Sequence, residues 1–458
     1  MPAKALNKKN LTALGADRLA ELLIEVTKGK ADLQRRVRLE LSAHQGADDV
    51  ARDIRKRYAS IRQAKGYLSR KTHRNFAKEI RSLIVLVDTS VAPSDPNAAF
   101  DLLWELLHLG PGVLGRTKDH SEILSEVFGE VMAAIARFSP RMDLAPDMLA
   151  DTVFETLRND KSGIFENAIP ALAQALGSVG LERMKASVST ALASVSITRR
   201  PPDQMNARLG RMRRDVADAQ GDVDAYVASH DARQLKDGDV AVAVGKRLLA
   251  ADRAGEALAI AQGAGSGIEL DDLVIACLGT LDRREELRDF LWKSFTIRPN
   301  AERLRQYLRL LPDFDDIDAE HEAKRIAQAH VNLSAALDFL VTWRDFAAAS
   351  GLIMDRHKDL DGSDYEMLTL AADALEASFP LASVLLRRAM IISTLESNRT
   401  IQYRRAADHL QTCARLDPFI EDFGGQGDHA SLLHRLRTRY GRRQSFWIKA
   451  SAKVSDIR

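Results

Sequence analysis

The stretch LLAADRAGEALAIA, residues 248–261, closes one apolar helical face, turns, and opens another. LGTLDRREELRDFL at 278–291 repeats it, with Asp252, Arg253 and Glu256 matching Asp282, Arg283 and Glu286 at an offset of 30. LVTWRDFAAASGLI at 340–353 is a looser third copy, and LEASFPLASVLLRRAM at 375–390 is a fourth, with Pro380 near its turn. A lone helical hairpin cannot bury its apolar face. Hairpins that recur at this period therefore stack on their neighbours and leave a concave surface. The expected fold class is all-α, an α-helical hairpin repeat array with a basic helical N-terminal region.

Working outward, composition agrees with helices. The 458 residues are 45% hydrophobic and 28% charged, but only 6% aromatic. Ala gives up no side-chain entropy in a helix, and few β-branched or aromatic runs are present to make a sheet. Cys277 and Cys413 are the only cysteines, so no disulfide framework is expected and a reducing compartment is implied. MPAKALNKKN at the start has no apolar core of a signal peptide, and LIVLV at 83–87 is far short of a membrane span. Asn10, Asn332 and Asn398 each open an N-x-[ST] pattern, read as chance matches without secretion. The expected location is cytoplasmic, with no membrane association.

The formal charge of +2 conceals a segregation: residues 1–81 carry +11, 82–198 carry −7, 199–383 carry −9 and 384–458 carry +7. In SDPNAAFDLLWELL (94–107), Asp95 is a candidate helix cap and Pro96 a first helical residue, where a missing N–H costs nothing. Further helices are expected near 121–138, 146–158, 166–177 and 181–195. RRPPD at 199–203 cannot continue a helix through both prolines. The expected division is a basic helical region 1–90, a helical middle 91–200, hairpin repeats 201–417 and a basic capping segment 418–458.

ARDIRKRYASIRQAKGYL, VAPSDPNAAFDLLWELLHL and the closing LLRRAMI…YRRAADHL resemble an uncharacterised bacterial family of all-helical repeat proteins, catalogued as a domain of unknown function. The hairpin copies are also similar to tetratricopeptide repeats, although the Trp-Leu-Gly-Tyr pattern of that repeat is not intact. The resemblance implies a tetratricopeptide- or HEAT-like solenoid. It brings no catalytic residues to any position.

Two basic stretches are candidate anion or nucleic-acid surfaces. In RDIRKRYASIRQAKGYLSRKTHR (52–74), a helical wheel gathers Val50, Ile54, Tyr58, Ile61 and Leu68 on one side. Arg52, Arg55, Lys56, Arg62, Arg70 and Arg74 fall on the other, unless Gly66 breaks the helix. A solvated face with long Arg stems lying over neighbours stands against phosphate binding. In HRLRTRYGRRQSFW (434–447), Arg435, Arg437, Arg439, Arg442 and Arg443 mix with Tyr440, Phe446 and Trp447. Aromatics among arginines can stack bases, or Phe446 and Trp447 can anchor a terminal capping helix.

Other motifs have structural accounts. GAGSG (263–267) lacks the Lys-Ser/Thr ending and the preceding strand of a phosphate loop, and Ser266 with Glu269 reads as a capping box. His409, Cys413, His429 and His434 match no closed zinc spacing. PDFDDIDAEHE (312–322) has Asp318 where a calcium loop needs glycine, so it reads as an acidic helix start. DGSDYE (361–366) reads as a connector capped by Ser363 and Glu366. No catalytic signature, metal site or cofactor motif appears. The expectation is a non-catalytic interaction module or scaffold holding a protein partner on the concave face. The alternative is nucleic-acid binding through the basic N-terminal helix, aided by the C-terminal tail.

Overall fold

The computed structural model describes residues 6–30, 33–34, 37, 41, 46–117, 122–194 and 204–452, all-α throughout. RRPPD at 199–203 lies outside the described residues, as does the side chain of Arg70. The chain forms two compact units, Met1–Ala232 and Arg233–Arg458. Among the described residues no helix is long and apolar enough to cross a membrane.

The N-terminal unit contains α1 (Lys8–Thr12), α2 (Ala16–Thr27), α3 (Ala47–Gln63), α4 (Arg70–Leu86), α5 (Pro96–Leu114), α6 (Glu122–Phe138), α7 (Pro146–Asn159), α8 (Ala168–Ser194), α9 (Gln204–Gln220) and α10 (Val223–Ala228). Asp95 caps α5 by accepting from the Ala98 N–H at 2.9 Å, with Pro96 in the first turn. Such a cap contributes about 1 kcal/mol. The helices expected at 166–177 and 181–195 form one element, α8, broken at Gly177, whose φ of 54° and ψ of −168° only glycine adopts readily. Leu209, Met212 and Val216 of α9 join the core of this unit.

The basic stretch is not one helix. α3 ends at Gln63, Gly66 lies in the connector, and α4 restarts behind Ser69, which forms a capping box with Thr72. Val50, Ile54, Tyr58 and Ile61 are buried as their spacing predicts, while Leu68 packs from the connector.

The C-terminal unit contains α11 (Gly238–Ala250), α12 (Ala254–Gly263), α13 (Ile268–Thr280), α14 (Arg284–Ile297), α15 (Ala301–Leu308), α16 (Asp315–Ala329), α17 (Leu333–Thr342), α18 (Phe346–Arg356), α19 (Tyr365–Leu375), α20 (Pro380–Glu396), α21 (Tyr403–Leu416), α22 (His429–Tyr440) and α23 (Gln444–Ala452). From α11 to α21, each helix packs on the next and, along most of the run, on the one after, which is the pairing of stacked hairpins.

The turns of the first three copies, and a further turn after α20, share one geometry. The turn of the fourth copy at 375–390 does not, since none of residues 376–379 is left-handed and the Phe379 N–H returns to the Leu375 carbonyl at 2.8 Å. Asp252, Asp282, Arg344 and Asn398 adopt left-handed φ values of 59°, 50°, 64° and 52°. The next residue's N–H then reaches back to the preceding helix: Arg253 to the Leu248 carbonyl, Arg283 to Leu278, Asp345 to Leu340 and Arg399 to Thr394, at 2.9 to 3.2 Å. This is a Schellman closure, satisfying carbonyls that a helix end leaves open. The sequence match between the first two turns extends to their ion pairs, Arg253–Glu256 at 2.7 Å and Arg283–Glu286 at 2.5 Å.

Two expected caps do not form. α13 begins after Gly267 without a side-chain cap, so Ser266 and Glu269 make no capping box. Ser363 instead gives its N–H and hydroxyl to Asp361, both at 2.9 Å, in a tight local turn. The acidic start of α16 is present, with Asp315, Asp316 and Asp318 in its first turn.

Candidate functional site

The apolar run of α20 is buried almost all round, as a helix wedged between neighbours must be. Its outer end, the 357–362 connector and α22 enclose a groove of about 820 Å³. Leu385, Ile392, Leu432 and Leu436 supply apolar wall. Gly362 permits the close approach that shapes it, since a Cβ there would sit 2.1 Å from the Ala389 carbonyl oxygen.

Four cations line this groove: Lys358, Arg388, Arg435 and Arg439. Its two carboxylates are engaged. Asp361 is held by Ser363, and Glu396 binds Arg439 at 2.9 Å and the Tyr440 hydroxyl at 3.0 Å. Arg388 is only 5% exposed, and among the described residues no carboxylate lies within ion-pair distance of it. Its Nη atoms donate to the carbonyls of Gln426 and Gly427 at 3.0 to 3.1 Å, and its buried Nε has no hydrogen-bond partner. Burial, reinforced by the charge of Arg435, lowers its pKa from the ordinary arginine value.

Arg387, the adjacent residue, faces a different environment. Its Nη2 binds Asp373 at 2.6 Å and Glu376 at 2.7 Å, and its Nη1 donates to His409 Nδ1 at 3.1 Å. Neither arginine stands out in the sequence, because LLRRAM reads as an ordinary helix with a charged face.

The sequence-predicted basic residues separate into two sets. On the N-terminal unit, Arg52 pairs with Asp49, Lys56 with Asp53, and Arg55 and Arg62 share Glu105. Arg57 is clamped by both oxygens of Glu79. Arg74 is exposed at the start of α4. On the C-terminal unit, Arg435 and Arg439 line the groove, while Arg437 lies over the Trp447 ring at 5.0 Å. Arg442 is exposed and Arg443 half-buried at the α22–α23 turn. Phe446 is fully buried against Tyr403 and Trp447, and the Trp447 indole donates to the Tyr440 carbonyl at 3.0 Å. These aromatics hold α23 on α21, with Phe446 buried and Trp447 half-buried beneath Arg437.

His409 and Cys413 are buried in α21, and His409 is committed to Arg387, while His434 lies exposed on the groove. Among the described residues no group of three or more His, Cys, Asp or Glu is placed to hold a metal ion.

A smaller cleft of about 250 Å³ in the N-terminal unit is lined by Asp160, Glu166, Arg208, Arg211 and Asp215. Burial pushes the Asp215 carboxyl up to about 6, against the opposing charges of Arg214 and Arg211. Position 215 follows two arginines in RMRRD, where the local pattern suggests a paired surface carboxylate instead.

Three comparisons bear on the chain as a whole. No curated protein matches it. Among solved structures, it aligns with a circular tandem repeat protein described as having novel repeat topology and enhanced subunit contact surfaces. The identity is 15%, over 98% of this chain and 95% of that one, with a TM-score of 0.20. The family profile described as a family of unknown function (DUF6880) matches residues 1–449. With nearly its whole length covered, the chain belongs to the DUF6880 family.

Proposed function

We propose that this protein is a non-catalytic interaction module whose C-terminal hairpin array holds a protein partner. The groove beside α20 and α22 carries the reading: an apolar wall with a basic rim, at a volume of about 820 Å³, is the form of a peptide-accepting cleft. The array supplies rigid helices to hold that wall, and stacked hairpins are well suited to presenting such surfaces. Nucleic-acid binding through α3 has less support, because the carboxylates of Asp49, Asp53, Glu79 and Glu105 spend most of its positive field.

The test is crosslinking mass spectrometry on the full-length protein in extracts of its native cells, with and without nuclease. A partner protein retained in stoichiometric amount after nuclease, and crosslinked within 238–452, is the expected result. Loss of every retained protein on nuclease treatment would overturn the reading in favour of nucleic acid.

A further inference from the structure

We infer that the groove between α20 and α22 takes an acidic segment of its partner, in which Asp or Glu residues sit beside branched aliphatic side chains. This rests on the interaction-module reading and adds the chemistry of the occupant. Lys358 and Arg435 stand exposed on the rim with no carboxylate partner among the described residues, unlike most of the basic residues of α3. Arg388 lines the groove as a buried guanidinium hydrogen-bonded to backbone carbonyls and lying over the Phe423 ring at 6.0 Å, with its Nε unpaired. Desolvating a cation is unfavourable unless an anion or a full set of acceptors compensates. Asp417 and Asp428 offset part of the Arg388 charge from beyond ion-pair distance, and an acidic ligand side chain on this rim supplies the direct partner that Lys358 and Arg435 lack.

The walls select the kind of anion. Leu385, Ile392, Leu432 and Leu436 offer aliphatic contact, and Tyr440 in the same lining is buried with its hydroxyl committed to Glu396. Single-stranded nucleic acid binds by stacking on exposed aromatic faces, and among the residues that line this groove there is no Phe or Trp and the one exposed ring is the His434 imidazole. A peptide that alternates carboxylates with Leu or Ile matches both the rim and the wall.

The experiment pans a displayed random peptide library, of about 12 residues per peptide, on the full-length protein. Enriched peptides are then measured by fluorescence anisotropy against wild type, Lys358→Glu/Arg435→Glu and Ile392→Glu. Acidic-aliphatic peptides are expected to dominate, with affinity falling about tenfold or more in the double charge reversal and with rising salt. The exposed Lys358 and Arg435 make no carboxylate contact, so the melting temperature of that variant should match wild type, separating lost binding from lost folding. Enriched peptides that are neutral or basic, or that bind the double variant as well as wild type, overturn this inference while leaving the interaction-module reading intact. No enrichment at all overturns both. Arbitrary-sequence single-stranded RNA, tested in parallel, should not bind in the groove. RNA binding that the charge reversal abolishes would replace the peptide with a nucleic acid.

Discussion

Arg387 donates a hydrogen bond to His409 Nδ1 across 3.1 Å, between two residues that are both buried. A guanidinium only donates, so Nδ1 accepts and the imidazole is neutral, with its proton on Nε2. Burial first, and then the charge of Arg387, hold His409 down to about 4, with Arg405 adding to the effect and Asp373 opposing it. Between about 4 and its ordinary 6.5, the unfolded chain binds a proton that the native chain does not. Stability is therefore complete above 6.5 and falls as the pH drops toward 4, by about 1.4 kcal/mol per pH unit from this group. Urea unfolding of wild type and His409→Gln over that range should show a shallower acid slope in the variant. Equal slopes would mean that His409 is already charged in the folded protein.

Asp215 has the opposite sign. Its carboxyl, raised by burial to about 6, keeps a proton in the native state that the unfolded chain has released above 3.8. Stability from this group is present below 3.8 and is lost as the pH rises through 6. Asp215→Asn should raise stability by about 1–2 kcal/mol near neutral pH, with the gain discounted for partial exposure. The two proteins should converge in acid. A destabilised variant at neutral pH would show that the ionised carboxylate is a required partner of Arg211 or Arg214.

The hairpin turns carry backbone strain that glycine relieves. Arg344 is exposed and left-handed at φ 64°. Arg344→Gly should stabilise the protein by about 1 kcal/mol, since only the residue's Cβ opposes that conformation. Thermal unfolding would register this as a higher midpoint, and a lower one would mean that the Arg344 side chain contributes more than its backbone costs.

Gly362→Ala tests the close approach behind the groove. With a Cβ placed 2.1 Å from the Ala389 carbonyl, the connector must move off α20, at a cost of about 2–3 kcal/mol. Gly279, inside α13 with open space around it, is the control. Gly279→Ala should gain about 0.5–1 kcal/mol from helix propensity. Denaturant midpoints of both variants decide the matter, and two equal shifts would remove the packing argument.

Helices and hairpins were legible in the residues alone because they arise from interactions a few positions apart. The 3.6-residue apolar period placed the buried side of α3 at Val50, Ile54, Tyr58 and Ile61. The Asp-Arg-x-x-Glu match located two turns that share dihedral angles, hydrogen bonds and ion pairs. Asp95 with Pro96 announced the start of α5 for the same local reason. Charge and burial at particular side chains depend on contacts that local pattern does not encode. Arg52 to Arg74 read as one basic face, but Glu79 and Glu105 pair with Arg57, Arg55 and Arg62 across 22 to 50 positions. Arg387 and Arg388, neighbours in one helix, both look solvent-facing in LLRRAM. Packing of α19, α21 and the glycine-rich 424–427 loop around α20 buries both, giving one two carboxylates and the other only carbonyl oxygens. A residue's secondary structure follows from its near neighbours, whereas its electrostatic role follows from which distant chain desolvates it.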